Sequence, residues 1–398
     1  MTNKNKIERV SSYKDFSINL PTKIEMGNGI LNKVGELCRE ICSGNKVFII
    51  SDPVLEETGI PGRVKKILEE NHFYCTQYTQ VEPNPKDVDC EAGGEAIQSF
   101  GADIILAVGG GSVIDSAKAI ALLQAHGGIL KDYEGKGKVT RPLIPIVAIP
   151  TTAGTGSEVT RSAVITDKAR SFKMTVKDLM LAPALAIIDP ETTYSLPPGL
   201  TASTGMDALV HALEAYTCRL SNPFVEMLAE KAMKLIFPAL PRVVKNGNDR
   251  EGRYQMMHGS LLAGLAFSHA DVAAIHCMAE ALGGLYDIPH GVANSIFLPI
   301  VSDYNARECP EKYALAAGIC GLPVKGLNNT KAAELFVNVL TGMAKDIGIP
   351  RLADFQQVNP DHFPRLAAAA LANGSTPSNC RVIGKSDYLD LFEAAYAL

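Results

Sequence analysis

The sequence predicts an α/β dinucleotide-binding domain with a mostly parallel sheet, followed by an all-helical domain. Three observations carry this reading. Apolar, β-branched runs alternate with helical stretches through the first half, as in a parallel sheet covered on both faces. Past Pro197 and Pro198 such runs become scarce, and Ala/Leu/Met-rich helical periodicity takes over. Two glycine-rich loops leave apolar strands of the first half, and the carboxyl ends of parallel strands are where such sheets hold nucleotides. A chain of 398 residues suits two to three domains. The boundary is expected between residues 196 and 197, with an α/β domain over 1–196 and a helical, metal-binding domain over 197–398.

Taken in order, residues 46–51 (KVFIIS) read as a buried strand and 61–71 as a helix opened by Pro61. A short strand is expected near 73–79, a helix over 87–100, an apolar strand over 103–108 (DIILAV) and a helix over 112–124. Strands at 144–149 and 184–188 complete the set. Helices are expected beyond the boundary over 202–218, 224–237, 254–267, 272–282, 331–347 and 363–372, with Gly283 and Gly284 stopping the fourth.

Composition narrows the partners. Lys and Arg total 38 against 43 Asp and Glu, a net charge of −5, with no basic block to track phosphates, so nucleic acid is not an expected partner. The polar opening MTNKNKIERV has no apolar secretory core, and no apolar run approaches a membrane span. The nine cysteines form an odd set without a C-x-x-C pair, as suits reduced thiols. A cytoplasmic chain without a membrane partner is expected.

The segment VGGGSVIDSAK puts Gly109, Gly110 and Gly111 between a strand and a helix. Glycines there let backbone N–H groups and the helix dipole approach a phosphate, although a tight strand-to-helix turn also wants glycine. A second loop, IPTTAGTGSEVT, concentrates Thr151, Thr152, Thr155 and Ser157 with two glycines after another strand. Two such loops favour a bound cofactor. Asp52 ends the first strong strand; there a carboxylate can bond ribose hydroxyls and repel a 2′-phosphate, or simply serve a turn before Pro53.

Five of the eight histidines fall between residues 211 and 290. Asp207 and His211 are spaced i, i+4, as are His276 and Glu280, so each pair leaves one helix face; His290 follows in Pro289–His290–Gly291. A carboxylate with two or three imidazoles suits Fe(II), Zn, Mn or Co. His258 and His269 read as ordinary helix residues.

Together GGGSVIDSAK, PTTAGTGSE, D-x-x-x-H, H-x-x-x-E and P-H-G resemble, in this order, the iron-containing (group III) alcohol dehydrogenase family, over nearly the whole chain. The resemblance covers 1,3-propanediol dehydrogenase, lactaldehyde reductase and butanol dehydrogenase members and implies a dehydroquinate synthase-like architecture. It implies metal ligands at Asp207, His211, His276 and His290. Cofactor contacts are implied at Asp52, Gly109, Gly110, Gly111, Ser112, Asp115, Thr151, Thr152, Thr155, Ser157 and Lys173. NAD(H) and Fe(II), with Zn(II) as the other ion, are the implied cofactors, and a homodimer or larger assembly the implied state. The chain departs from the family at two places: Glu280 stands where many relatives carry a second His, and Asn379–Cys380–Arg381 where they often read N-P-R.

The expected chemistry is reversible hydride transfer between NAD(H) and a small primary alcohol or aldehyde, aided by a Lewis-acidic ion. Glu280 is the candidate for contacting substrate or relaying a proton, against the plain alternative of a salt bridge. The rivals are a zinc-dependent polyol dehydrogenase of glycerol type, a lyase resembling dehydroquinate synthase, and a nucleotide- and metal-binding regulator without turnover.

Overall fold

The computed structural model describes residues 15–398. The polar opening at residues 1–10 lies outside the described residues. In chain order, β1 (Lys23–Met26) and α1 (Val34–Ile41) precede β2 (Lys46–Ile50). The short α2 (Pro53–Glu57), then α3 (Ile60–Glu70), β3 (Tyr74–Tyr78), α4 (Asp87–Phe100), β4 (Ile104–Gly109) and α5 (Gly111–His126) follow. Strands β5 (Gly135–Lys136), β6 (Ile146–Pro150), β7 (Ser162–Asp167), β8 (Phe172–Lys177) and β9 (Leu185–Ile188) end this half.

Six strands form one sheet in the order β1-β9-β6-β4-β2-β3, with every pairing parallel. Period-two alternation explains why both faces are buried. Val47, Ile49, Leu106 and Val108 meet Val34 and Val64 on one face; Phe48, Ile50, Ile105 and Ala107 meet Ile97 and Ile120 on the other. The strand order turns between β2 and β4, which opens a crevice at their carboxyl ends. The loop GGGS leaves β4 at that crevice.

The second half is helical: α6 (Pro198–Thr217), α7 (Pro223–Lys245), α8 (Arg250–Ser268), α9 (Ala274–Tyr286), α10 (His290–Ala306), α11 (Pro310–Ile319), α12 (Asn329–Asp346), α13 (Phe363–Ala372) and α14 (Lys385–Ala397). One apolar cluster runs through it and takes in Ala186 and Ile188 of β9.

Three expectations need correction. A small sheet of β5, β8 and β7, with β7 and β8 antiparallel, was not anticipated; its signal is the alternation in SAVITD and FKMTVK around a polar turn. Helix α7 does not end at Phe237 but runs through Pro238 and Pro241, because burial of Ile236, Ala239, Leu240 and Val243 outweighs the hydrogen bonds those prolines forgo. Gly283 and Gly284 do not stop α9, which continues to Tyr286 and ends on Asp287 in the left-handed region. Their role is close packing: a Cβ on Gly284 would lie 3.2 Å from the backbone of Lys173 and Ser171. Bare backbone at that point lets α9 lie directly on β8.

Candidate active site

Helix α6 carries Asp207, His211 and Glu214 along one buried face, as spacings of four and three residues require. Helix α9 presents His276 and, one turn on, Glu280. His290 is the first residue of α10, and Asn294 lies one turn beyond it. Ligand atoms of Asp207, His276 and His290 lie within 4.8 Å of one another. His211 joins them, with its Nε2 3.0 Å from Nε2 of His276, and its ring stacks on Phe267 at 4.3 Å between centroids.

These donors fit a divalent ion. Glu214 accepts from Nδ1 of His276 at 2.6 Å, which leaves Nε2 of that ring with its lone pair aimed at His211. The same carboxylate accepts from the backbone N–H groups of Ala273 and Ile275, so the start of α9 is fixed with it. Burial pushes His211 down to about 4 and His290 well below the ordinary imidazole value. Both rings are therefore neutral near pH 7, as metal ligands must be. For Asp207 burial works against ionisation, but the three imidazoles and the Asn294 amide outweigh it and hold the carboxyl below its ordinary value. For His276 burial works the same way, but the hydrogen bond and charge of Glu214, with Asp207 beside it, outweigh burial and raise that ring above its ordinary value. An ionised carboxylate with imidazoles is a set for a first-row ion.

Of the residues expected to hold a cofactor, Gly111, Ser112, Asp115, Thr155, Ser157 and Lys173 line one cavity with His211, His276 and His290, whereas Asp52, Gly109, Gly110, Thr151 and Thr152 are not in its lining. Gly110 faces Thr152, and a Cβ on Gly111 would meet the Thr155 side chain at 2.6 Å. The two glycine-rich loops thus pack against each other through missing side chains. Thr151 is buried, and its N–H bonds the Gly109 carbonyl at 3.1 Å. Asp115 takes a hydrogen bond from the Ser157 hydroxyl and another from Val164 N–H at 2.9 Å. Buried Lys118 donates to Ser157 at 2.8 Å, Thr160 at 3.0 Å and the Ser162 carbonyl at 2.8 Å. Asp115 and Ser157 therefore shape the cleft through bonds to protein as well as lining it.

One cavity runs from Gly111, Ser112 and Thr155 to His211, His276 and His290. Lys173 of β8 and Glu280 line it between these ends. Lys173 donates to Asn84 at 2.7 Å, and burial pushes its ammonium down to about 8. Asn84 in turn reaches Asp287 just past α9, at 2.9 Å, which ties the helical half to the sheet half beside the cavity. Among the described residues Glu280 forms no salt bridge; its carboxylate accepts from Asn373 at 2.6 Å, and burial raises it above the ordinary carboxyl value.

Asp52 stands apart from that cavity's lining. It ends β2 as expected and caps α2, accepting from the Leu55 N–H at 2.8 Å. His269 has a structural task, with Nδ1 at 2.8 Å from the Leu265 carbonyl and Nε2 at 2.9 Å from that of Asn19. Glu214, Asn294, Asn84 and Lys118 were not anticipated. For Glu214 the signal was present: a carboxylate on the apolar, otherwise uncharged face of ALVHALEAY, three residues past His211.

Comparison with known proteins bears directly on this site. Residues 21–190 match the iron-containing alcohol dehydrogenase family, and residues 201–396 match its C-terminal part. The 1,3-propanediol dehydrogenase of Citrobacter freundii is 38% identical over 387 residues, covering 97% of this chain and 100% of its own. The NAD-dependent methanol dehydrogenase of Bacillus methanolicus is 37% identical, covering 94% of this chain and 98% of its own. A crystal structure of a 1,3-propanediol oxidoreductase superposes with a TM-score of 0.92 at 38% identity, over 96% of this chain and 100% of that one. With its Asp–His donor set, its glycine loops and relatives alike from end to end, this chain belongs to the iron-containing alcohol dehydrogenase family.

Proposed function

We propose that this chain transfers a hydride between NAD(H) and a small primary alcohol or aldehyde, with Asp207, His211, His276 and His290 holding Fe(II), or Zn(II) as the second choice. The observation that carries this is the single cavity with glycine-rich loops at one end and the donor cluster at the other. When bound, the ion lends Lewis acidity to the substrate oxygen and the nicotinamide gives or takes the hydride.

The chain's own residues do the rest. Backbone N–H groups at the start of α5, with Ser112, Thr151, Thr152, Thr155 and Ser157, receive the pyrophosphate end of the cofactor. Asp52 bonds the ribose and disfavours a 2′-phosphate. Lys173 and Asp115 position the cofactor from the cavity wall. Glu214 orients His276, and Glu280 contacts the substrate or moves a proton at its oxygen. Division into domains at 196/197, a cytoplasmic location and a homodimer or larger assembly belong to the same reading. No described helix is long and apolar enough to cross a membrane.

The relatives named above are alcohol dehydrogenases, which leaves the polyol, lyase and regulator readings without support. The test is a panel of short aldehydes with NADH, using protein reconstituted anaerobically with Fe(II). Loss of NADH absorbance with at least one aldehyde supports the proposal. No turnover with any of them, in protein shown to hold metal and to bind NADH, contradicts it.

A further inference from the structure

We propose that Lys177 selects the substrate, and that the substrate is a short primary alcohol or aldehyde carrying a carboxylate at the end away from the reacting carbon. This rests on the hydride-transfer reading above and names the substrate class for that same cavity.

Strand alternation builds the wall that meets such a group. In FKMTVK, Met174 and Val176 are buried in an apolar cluster of the sheet half, so Lys173, Thr175 and Lys177 face the other way and line the cavity. Strand β7 lies antiparallel to β8, with Ser162 in register with Lys177 and Val164 with Thr175, and both line the cavity too. Residues in register share a face, so Ser162, Thr175 and Lys177 form one patch of hydrogen-bond donors. Lys173 is already bonded to Asn84. Among the described residues the side chains of Ser162, Thr175 and Lys177 make no hydrogen bond or ion pair.

The carboxylates of the same cavity are engaged elsewhere. Asp271 accepts from the Val272 N–H at 3.1 Å, Ser375 at 2.9 Å and Ser378 at 2.7 Å. Glu280 accepts from Asn373, and Asp115 lies 3.3 Å from the Lys118 ammonium. Burial pushes the Lys177 ammonium down, and Lys136 and Arg161 push with it, while Asp271 and Glu280 hold it up. A second positive charge extends the patch outward: exposed Lys136 of β5 is in parallel register with Lys177. Like charges in register repel, and an anion between them relieves that repulsion. The pair also draws anions toward the cavity. An alkyl chain laid on this wall leaves an ammonium and two hydroxyls without partners, whereas a carboxylate accepts from them. Val164, Phe267 and Val272 of the same lining suit the short methylene chain between the two ends.

The test is calorimetric binding to the Fe(II)-reconstituted enzyme saturated with NADH, a complex in which an alcohol binds without reacting. Glycolate, 3-hydroxypropionate, 4-hydroxybutyrate and 5-hydroxyvalerate are each compared with the alcohol that has a methyl group in place of the carboxylate. At least one acid should bind about tenfold or more tighter than its partner, and raising the salt concentration should shrink that preference. Lys177→Gln should bring the ratio to within about twofold, Lys177→Arg should keep most of it, and NADH affinity should be unchanged in both. No acid binding tighter than its partner would overturn the proposal, as would a preference unaltered in Lys177→Gln, or a loss of NADH affinity there, which would assign Lys177 to the cofactor. Acid-selective binding without turnover of the matching aldehydes would contradict the hydride-transfer reading and leave the selective role of Lys177 supported.

Discussion

Glu214 determines which nitrogen His276 offers, because its carboxylate takes the proton side of the ring at 2.6 Å. Glu214→Gln keeps an acceptor there but removes the charge. Metal affinity should fall by about ten- to a hundredfold, measured by chelator competition, while NADH binding stays unchanged. Asp52 has a mixed role, since it caps α2 as well as ending β2. Asp52→Asn preserves the cap and removes the charge, so the kcat/KM ratio of NADPH to NADH should rise by about fivefold, the ~1 kcal/mol scale of one screened like-charge contact. An unchanged ratio would return Asp52 to the turn alone. Glu280→Gln should keep metal and NADH but change the pH profile of kcat or the order of substrates; an unaltered profile and panel would make Glu280 structural. At this scale the sequence was most legible in its helix spacing, which puts Asp207 and His211 on one buried face of α6. It was least legible for Asn84 and Asn294, whose roles depend on partners 203 and 87 residues away.

The loop-to-helix junctions show how elements set the cavity. Gly111 opens α5 against Thr155, and an added methyl would have to displace that side chain. Gly111→Ala should weaken NADH binding by about tenfold or more and cost about 1–3 kcal/mol of stability, measured by fluorescence titration and thermal unfolding. Thr155→Gly in the same chain should recover part of both losses, since it removes the clashing atoms. Strands and helices were readable because their periodicity is local: α4 was expected over the residues it occupies, and β4 within one residue. The misreadings arose where tertiary packing overrides a local rule. The glycine pair of α9 looked like a stop and is instead the bare surface on which β8 sits. Helix α7 was expected to end at Phe237, but its apolar face continues past Pro238 and Pro241.

Across the molecule, the sheet half and the helical half each supply what the other lacks, and buried charges record the cost of that joining. Glu158 lies in the second glycine-rich loop, and burial pushes its carboxyl from 4.5 to about 7. Between those values the folded chain holds a proton that the unfolded chain has released. Stability therefore falls as pH rises through that window, by roughly 3 kcal/mol over the full range. Glu158→Gln should flatten this slope in urea unfolding at successive pH values, and an identical slope would show that Glu158 does not titrate there. The overall architecture was legible because hydrophobic pattern and glycine placement carry it, whereas the meeting of the two halves depends on contacts such as Asn84 with Asp287 that no local window contains. The most direct test of the account is metal content and NADH affinity measured on one sample of His276→Ala, beside His269→Ala and the unaltered chain. His276→Ala should lose its ion and its turnover and bind NADH as before, while His269→Ala should keep its metal. Full metal occupancy in His276→Ala, or loss of the ion from His269→Ala instead, would contradict it.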